Sequence, residues 1–217
     1  MKIKLRILQQ LGMKSLAQNK YDKAEQYFRQ VYNKVPKMQG SRFNLAVALM
    51  GLKRFEEAES LLNDDIAQFG EDFNRVRAVA DLYYLAGKAE EARDSYAKLL
   101  EYTDTPQEER LFSERISLCS SPENFQQVVK GNEAFDEGNQ LISQNKYEEA
   151  VAAFKRAAKH DHTNFNAWNN IGTICFVKLD DPDQALEAYR QAAQYTSMES
   201  VTESIEAVKK ALENKKK

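Results

Sequence analysis

The sequence predicts an all-α chain, a solenoid of helix–turn–helix repeats stacked along a line. Three observations carry that expectation. An alanine returns every 34 residues, at Ala24, Ala58 and Ala92, and self-similarity at such a period marks a helical array. Each alanine closes a similar segment, Tyr21-Asp22-Lys23-Ala24, Phe55-Glu56-Glu57-Ala58 and Ala89-Glu90-Glu91-Ala92, and the pattern recurs at Tyr147-Glu148-Glu149-Ala150. The chain is 29% charged with only 8 Gly and 4 Pro in 217 residues, which suits long helices with solvated faces.

The first unit runs over 5–38. Leu8, Leu11 and Gly12 set the large and small positions of its first helix, Ala24 and Phe28 those of its second, and Pro36 ends it. The second unit, 39–72, has Leu45, Ala46 and Leu49, then Ala58 and Leu62, with Gly70 near its close. The third, 73–106, has Val76, Val79, Ala80 and Tyr83, then Ala92, Tyr96 and Leu99. Gly12, Ala46 and Ala80 are small so that two helix backbones can approach. The alanines at 24, 58 and 92 do the same on the facing helix. Acidic residues such as Asp22, Glu56 and Glu90 open each second helix, where the helix dipole favours negative charge.

The phase then slips. Ala92 and Ala150 are 58 residues apart, which is not two periods of 34. Residues 107–130 are too short for another unit and form a connector. Leu111, Phe112, Ile116 and Leu118 predict one helix ending near Ser120. Ser121 followed by Pro122 is an N-cap and first-turn proline. No breaker follows until Asn145, so this helix runs on into the next unit.

The fourth unit, 131–164, has Ala134, Gly138, Leu141, Ala150, Phe154 and Ala157. The fifth, 165–199, has Trp168, Ile171, Gly172, Tyr189 and Ala192, with one extra residue in the turn Leu179-Asp180-Asp181-Pro182. Asp181 there is an N-cap ahead of Pro182. Residues 200–217 predict a terminal helix that covers the last apolar face, as open solenoid ends require. The expected organisation is an N-terminal lobe (1–106), the connector (107–130) and a C-terminal lobe (131–217).

These large, small, aromatic and proline positions resemble the tetratricopeptide repeat, a helix–turn–helix unit of the same period. The resemblance implies a right-handed α-solenoid of three repeats and two. It also implies a concave groove, lined by the first helix of each unit, that takes a peptide or partner helix. Carried over position by position, it marks Phe43, Asn44, Arg77, Asp81 and Tyr84 in the N-terminal lobe. In the C-terminal lobe it marks Phe135, Asn139, Asn169, Asn170 and Thr173. Amides can bond the backbone of an extended peptide, since each has donors and an acceptor. Exposed aromatics add contact area at low entropic cost.

Some members of the family hold a C-terminal carboxylate with lysine, asparagine and arginine. Here Asn139 and Asn170 match the asparagines, but Phe135 replaces the lysine, and Val201 and Ile205 stand where cations would be. A carboxylate would lack compensation, so this clamp is not expected.

The implied function is a non-catalytic scaffold or adaptor for a protein or peptide partner. Two other readings stand beside it. One is self-assembly into a homo-oligomer, with the groove taking a neighbour's terminal helix, Lys2–Lys14 or Val201–Leu212. The other is a metal-dependent module at the turn His160-Asp161-His162, which has three donors but no further ligand nearby in sequence. No phosphate-cradling loop or nucleophile motif is present, so no enzyme and no cofactor are expected.

With 31 basic and 33 acidic residues the formal net charge is −2, which gives no case for nucleic acid. Lys215-Lys216-Lys217 ends the chain as a helix C-terminus, where cations complement the dipole. No apolar run approaches a membrane span, and the basic start Met1-Lys2-Ile3-Lys4 leads into an amphipathic helix, not a signal peptide. Cys119 and Cys175 sit in apolar helical contexts as free thiols. A cytoplasmic location is the expectation.

Overall fold

The computed structural model describes residues 2–215; Met1, Lys216 and Lys217 lie outside it. Among the described residues there is no strand. The chain divides into two compact units, Met1–Leu99 and Leu100–Lys217.

The first unit is three helical hairpins: α1 (Lys2–Ala17) with α2 (Tyr21–Lys34), α3 (Ser41–Gly51) with α4 (Phe55–Phe69), and α5 (Phe73–Leu85) with α6 (Ala89–Leu99). Each helix packs chiefly on its neighbours in sequence, which is how a repeat array buries its core. Ala24, Phe28, Leu45, Leu49, Ala58 and Leu62 lie in one buried cluster. Leu5, Leu8 and Val31 form a smaller one under α1 and α2.

The second unit opens with a 3-10 turn, Leu100–Tyr102, and α7 (Pro106–Cys119). Thr105 caps α7 by accepting from the Glu108 backbone N–H. Pro106, placed by repeat register at the end of unit three, is the first residue of this helix. Next comes α8 (Pro122–Ser143), a single helix of 22 residues. Ser121 caps it by accepting from Asn124. No breaker interrupts α8, so connector and repeat share one rod. Then α9 (Tyr147–His160) closes a hairpin with α8, α10 (Phe165–Val177) and α11 (Pro182–Ala192) form the next hairpin of the second unit, and α12 (Glu199–Lys215) follows. Ala150, Phe154, Ile171, Ala185, Tyr189 and Val208 share its core.

The turns inside the hairpins have one construction. A residue with positive φ precedes each second helix: Asn19 (54°), Lys53 (59°), Gly87 (80°), Asn145 (60°) and Asp180 (51°). Beside it a backbone N–H reaches back five residues, as Lys20 to Ser15, Arg54 to Leu49, Lys88 to Tyr83 and Lys146 to Leu141. That bond satisfies a carbonyl otherwise orphaned at the helix end. In the last hairpin the bond runs from Asp181 to Cys175, six residues back. The extra residue of this turn is accommodated there. Asp181 also caps α11 by accepting from Gln184.

The small residues face rings. A Cβ on Gly12 would lie 2.5 Å from the Phe28 ring, on Gly138 2.6 Å from Phe154, and on Gly172 2.8 Å from Tyr189. Ring and glycine therefore set how closely each hairpin closes.

Candidate functional site

In the second unit, α8 and α10 turn a common type of face outward. Helical spacing puts Asn132, Phe135, Asp136 and Asn139 on one side of α8. It puts Asn166, Asn169, Asn170, Thr173 and Val177 on one side of α10. Core contacts take the opposite sides, through Gly131, Ala134 and Gly138 of α8 and Ala167, Ile171 and Ile174 of α10.

On these faces Asn139 Oδ1 and Asn170 Nδ2 are buried without a hydrogen-bond partner. Leaving such a group unsatisfied costs about 1–3 kcal/mol. One is an acceptor and the other a donor, which together match the N–H and C=O of a peptide bond. Asn139 and Asn170 are themselves half-buried, as is Asn169, while Thr173 is exposed. The Thr173 hydroxyl donates to the Asn169 carbonyl at 2.9 Å and lies 3.1 Å from the Tyr189 hydroxyl. Phe135 is half-buried and tilts against Phe154 with centroids 5.3 Å apart. It packs against the core of the second unit.

The first unit uses its marked residues differently. Tyr84 is only 2% exposed and meets the Tyr96 ring edge-on at 5.7 Å. It packs and offers no surface, which corrects the expectation of a groove residue. The Tyr96 hydroxyl donates to Asp81 at 2.7 Å, and Arg77 lies 3.8 Å from the same carboxylate and 6.0 Å from the Phe73 ring centroid. Arg77 and Asp81 are thus engaged with their own helix and the next. Phe43 is half-buried against the core, and Asn44 is half-buried beside Gly40. Nearby, Tyr83 donates to Glu59 at 2.9 Å. Burial and that bond push the phenol up to about 12.

The side chains of the turn 160–162 go to three different places. His160 Nδ1 lies 3.0 Å from Gln127 Oε1, and His162 Nε2 lies 2.8 Å from Glu114 Oε2. Asp161 is buried and accepts from the backbone N–H of Thr163 at 3.0 Å and from its hydroxyl at 2.6 Å. The three do not converge on one point. Among the described residues, no group of three His, Cys, Asp or Glu side chains has a metal-binding arrangement. No helix among them is long and apolar enough to cross a membrane. Lys215 pairs with Asp180 at 2.8 Å; Lys216 and Lys217, the rest of that basic cluster, lie outside the described residues. Burial pushes the Cys175 thiol up, away from the reactive thiolate.

The contacts of Glu114 with His162 and Tyr195 carry no signal in the sequence, because they join segments 48 and 81 residues apart.

Family profiles match parts of both units. The family profile described as "Tetratricopeptide repeat" matches residues 15–82 and, in a second form, 165–197, and one described as "TPR repeat" matches 138–176. "Superkiller complex protein 3" of Homo sapiens is 36% identical over 61 residues, which is 28% of this chain and 4% of that protein. The Mus musculus protein of the same name matches to the same extent. The chain thus spans 4% of the length of these curated relatives. Among solved structures, "Crystal structure of MamA protein" is 13% identical, with a TM-score of 0.42 over 90% of this chain and 93% of that one. "TPR2AB-domain:pHSP90-complex of yeast Sti1" is 17% identical, with a TM-score of 0.47 over 99% and 86%. With its hairpins, its turn register and these matches at both ends, the chain is a tetratricopeptide repeat protein.

Proposed function

We propose that the chain is a non-catalytic interaction scaffold whose second unit holds an extended segment of a partner protein between α8 and α10. One observation carries this reading: the unpartnered Asn139 Oδ1 and Asn170 Nδ2. A turn about χ2 brings each to an entering main chain. The acceptor takes a peptide N–H and the donor serves a peptide C=O. Asn166 and Asn169 extend the amide row, and Phe135 supplies apolar area. No lysine or arginine stands on the groove faces of these two helices, so an internal segment suits them better than a terminal carboxylate.

The test is a double substitution, Asn139→Ala with Asn170→Ala, in the full chain. Partner binding should fall at least about tenfold, since two hydrogen bonds of about 1 kcal/mol each are lost. Helicity should be unchanged. Unaltered affinity for a partner recovered with the wild-type chain would refute the groove.

A further inference from the structure

We propose that the outward face of α1 is a second docking surface, and that it takes an amphipathic helix of a partner protein whose apolar stripe is flanked by carboxylates. The surface lies in the first unit and does not depend on the groove reading.

The face is an unfinished core. Leu5, Leu8, Gly12 and Ser15 turn inward and are buried. On the other side Ile3 is 78% exposed, Ile7 49% and Leu11 39%. Their i, i+4, i+8 spacing makes one continuous ridge along the helix, the shape that fits the groove between rows of side chains on another helix. The last helix of the second unit, α12, differs. No large hydrophobic residue of α12 is among the exposed ones, and its solvent side carries Glu203, Glu206, Lys209 and Lys210. A polar outer face is what closes a solenoid. The outward side of α12 is thus polar, whereas that of α1 carries exposed apolar side chains.

Charge selects the occupant. The α1 sequence holds no acidic residue. Lys4, Arg6 and Lys14 are exposed around the ridge, and none is paired with a carboxylate among the described residues. A second copy laid α1 against α1 would set these cations against their own kind, which opposes association. A second copy's α12 offers no apolar stripe on its free side. An anionic lipid surface is matched by a broad apolar face with cations at its margins. Here Lys14 falls in line with Ile3 and Ile7 and interrupts the apolar face, which Met13, 52% exposed, flanks on one side. A partner helix can seat the ridge and place a carboxylate opposite each cation.

Two synthetic helical peptides provide the test. Both carry the same leucine stripe, one flanked by glutamates and the other by lysines, and each is titrated into the full chain by fluorescence anisotropy. The glutamate peptide should bind at least about tenfold more tightly, a difference of about 1.4 kcal/mol, and salt should weaken it. Ile3→Ser with Ile7→Ser should abolish that binding. Both side chains are solvent-facing, so circular dichroism and melting should not change. Charge reversal by Lys4→Glu, Arg6→Glu and Lys14→Glu should invert the preference between peptides. Asn139→Ala with Asn170→Ala should leave this binding untouched, which separates it from the groove. Absent binding, equal affinity for both peptides, or binding that survives the ridge substitutions would overturn the proposal. So would protein that sediments with phosphatidylserine vesicles while ignoring both peptides. A dimer seen by light scattering and lost on Ile7→Ser would overturn it in favour of self-association.

Discussion

The Tyr195 hydroxyl donates to Glu114 Oε2 across 2.9 Å, joining the segment after α11 to α7 over 81 residues of sequence. Three more contacts gather on this pair. Arg110 donates to Glu114 Oε1 at 2.8 Å and lies 4.9 Å from the Tyr195 ring centroid, while His162 reaches Glu114 Oε2 at 2.8 Å. Behind them the buried Arg115 donates to the Thr163 hydroxyl at 3.2 Å. This cluster is a polar latch that holds α7 within the second unit.

Tyr195→Phe should destabilise the second unit by about 1–2 kcal/mol, because a bond to a charged acceptor is lost. The latch also makes stability depend on pH. Burial alone would raise the Glu114 carboxyl, but hydrogen bonds from Arg110, Tyr195 and His162 outweigh it and hold the group below its ordinary 4.5. A depressed value means that folding favours the carboxylate. Its contribution is present above pH 4.5 and is lost as pH falls through the lower folded value. Thermal melts of Glu114→Gln should therefore be lower than wild type at neutral pH, with the gap closing in acid. Tyr195 behaves oppositely: burial and the Glu114 bond push it up to about 12 from 10.0, so its share fades as pH rises through that range.

Gly138→Ala should destabilise despite better helix propensity. Alanine gains about 1 kcal/mol in a helix interior. Its Cβ would sit 2.6 Å from the Phe154 ring, and overpacking of this kind costs about 1–3 kcal/mol. Adding Phe154→Leu should recover part of the loss, and chemical denaturation of the four proteins in the cycle reads the coupling directly.

Lys53→Gly should stabilise the first unit by about 0.5–1 kcal/mol. Lys53 sits at φ 59°, where a side chain is strained and glycine is not. Gly87 occupies the same place in the next hairpin at φ 80° with nothing near its missing Cβ. Gly87→Ala should therefore lose a similar amount through backbone strain alone. Opposite shifts in melting temperature would confirm both.

Asp65→Ala should cost the first unit about 3–5 kcal/mol, the loss expected when one partner of a buried ion pair is removed. Asp65 is fully buried and accepts from Arg75 Nε at 2.7 Å, while Arg75 also bonds Asp72 and lies 5.5 Å from the Phe69 ring centroid. Urea denaturation measures the loss.

The helices were legible in the letters because their signals are local. A capping side chain acts within three residues, as Ser121 does on Asn124 and Asp181 on Gln184, and a small residue opposite a ring repeats at fixed spacing, as Gly12 and Gly138 show. The extra residue before Pro182 was visible as a count, and the structure absorbs it in one longer turn bond. The candidate site was legible only in part. Asn139 and Asn170 carry a repeat-position signal, and Tyr84 carries the same kind of signal yet is buried. A position number says which face a side chain starts from. It does not say whether the neighbouring helix covers that face.

The sequence by itself therefore determined the class, the period, the capped starts at Pro122 and Pro182 and the break in phase, all of which follow from interactions within a few residues along one chain segment. Tertiary structure alone decided three things. It left an acceptor and a donor unmatched on Asn139 and Asn170, drew Glu114, His162 and Tyr195 into one latch, and exposed Ile3 and Ile7 while burying Leu5 and Leu8. Burial and hydrogen-bond satisfaction are properties of pairs of segments distant in sequence, and only their packing fixes which atoms are matched and which await a partner.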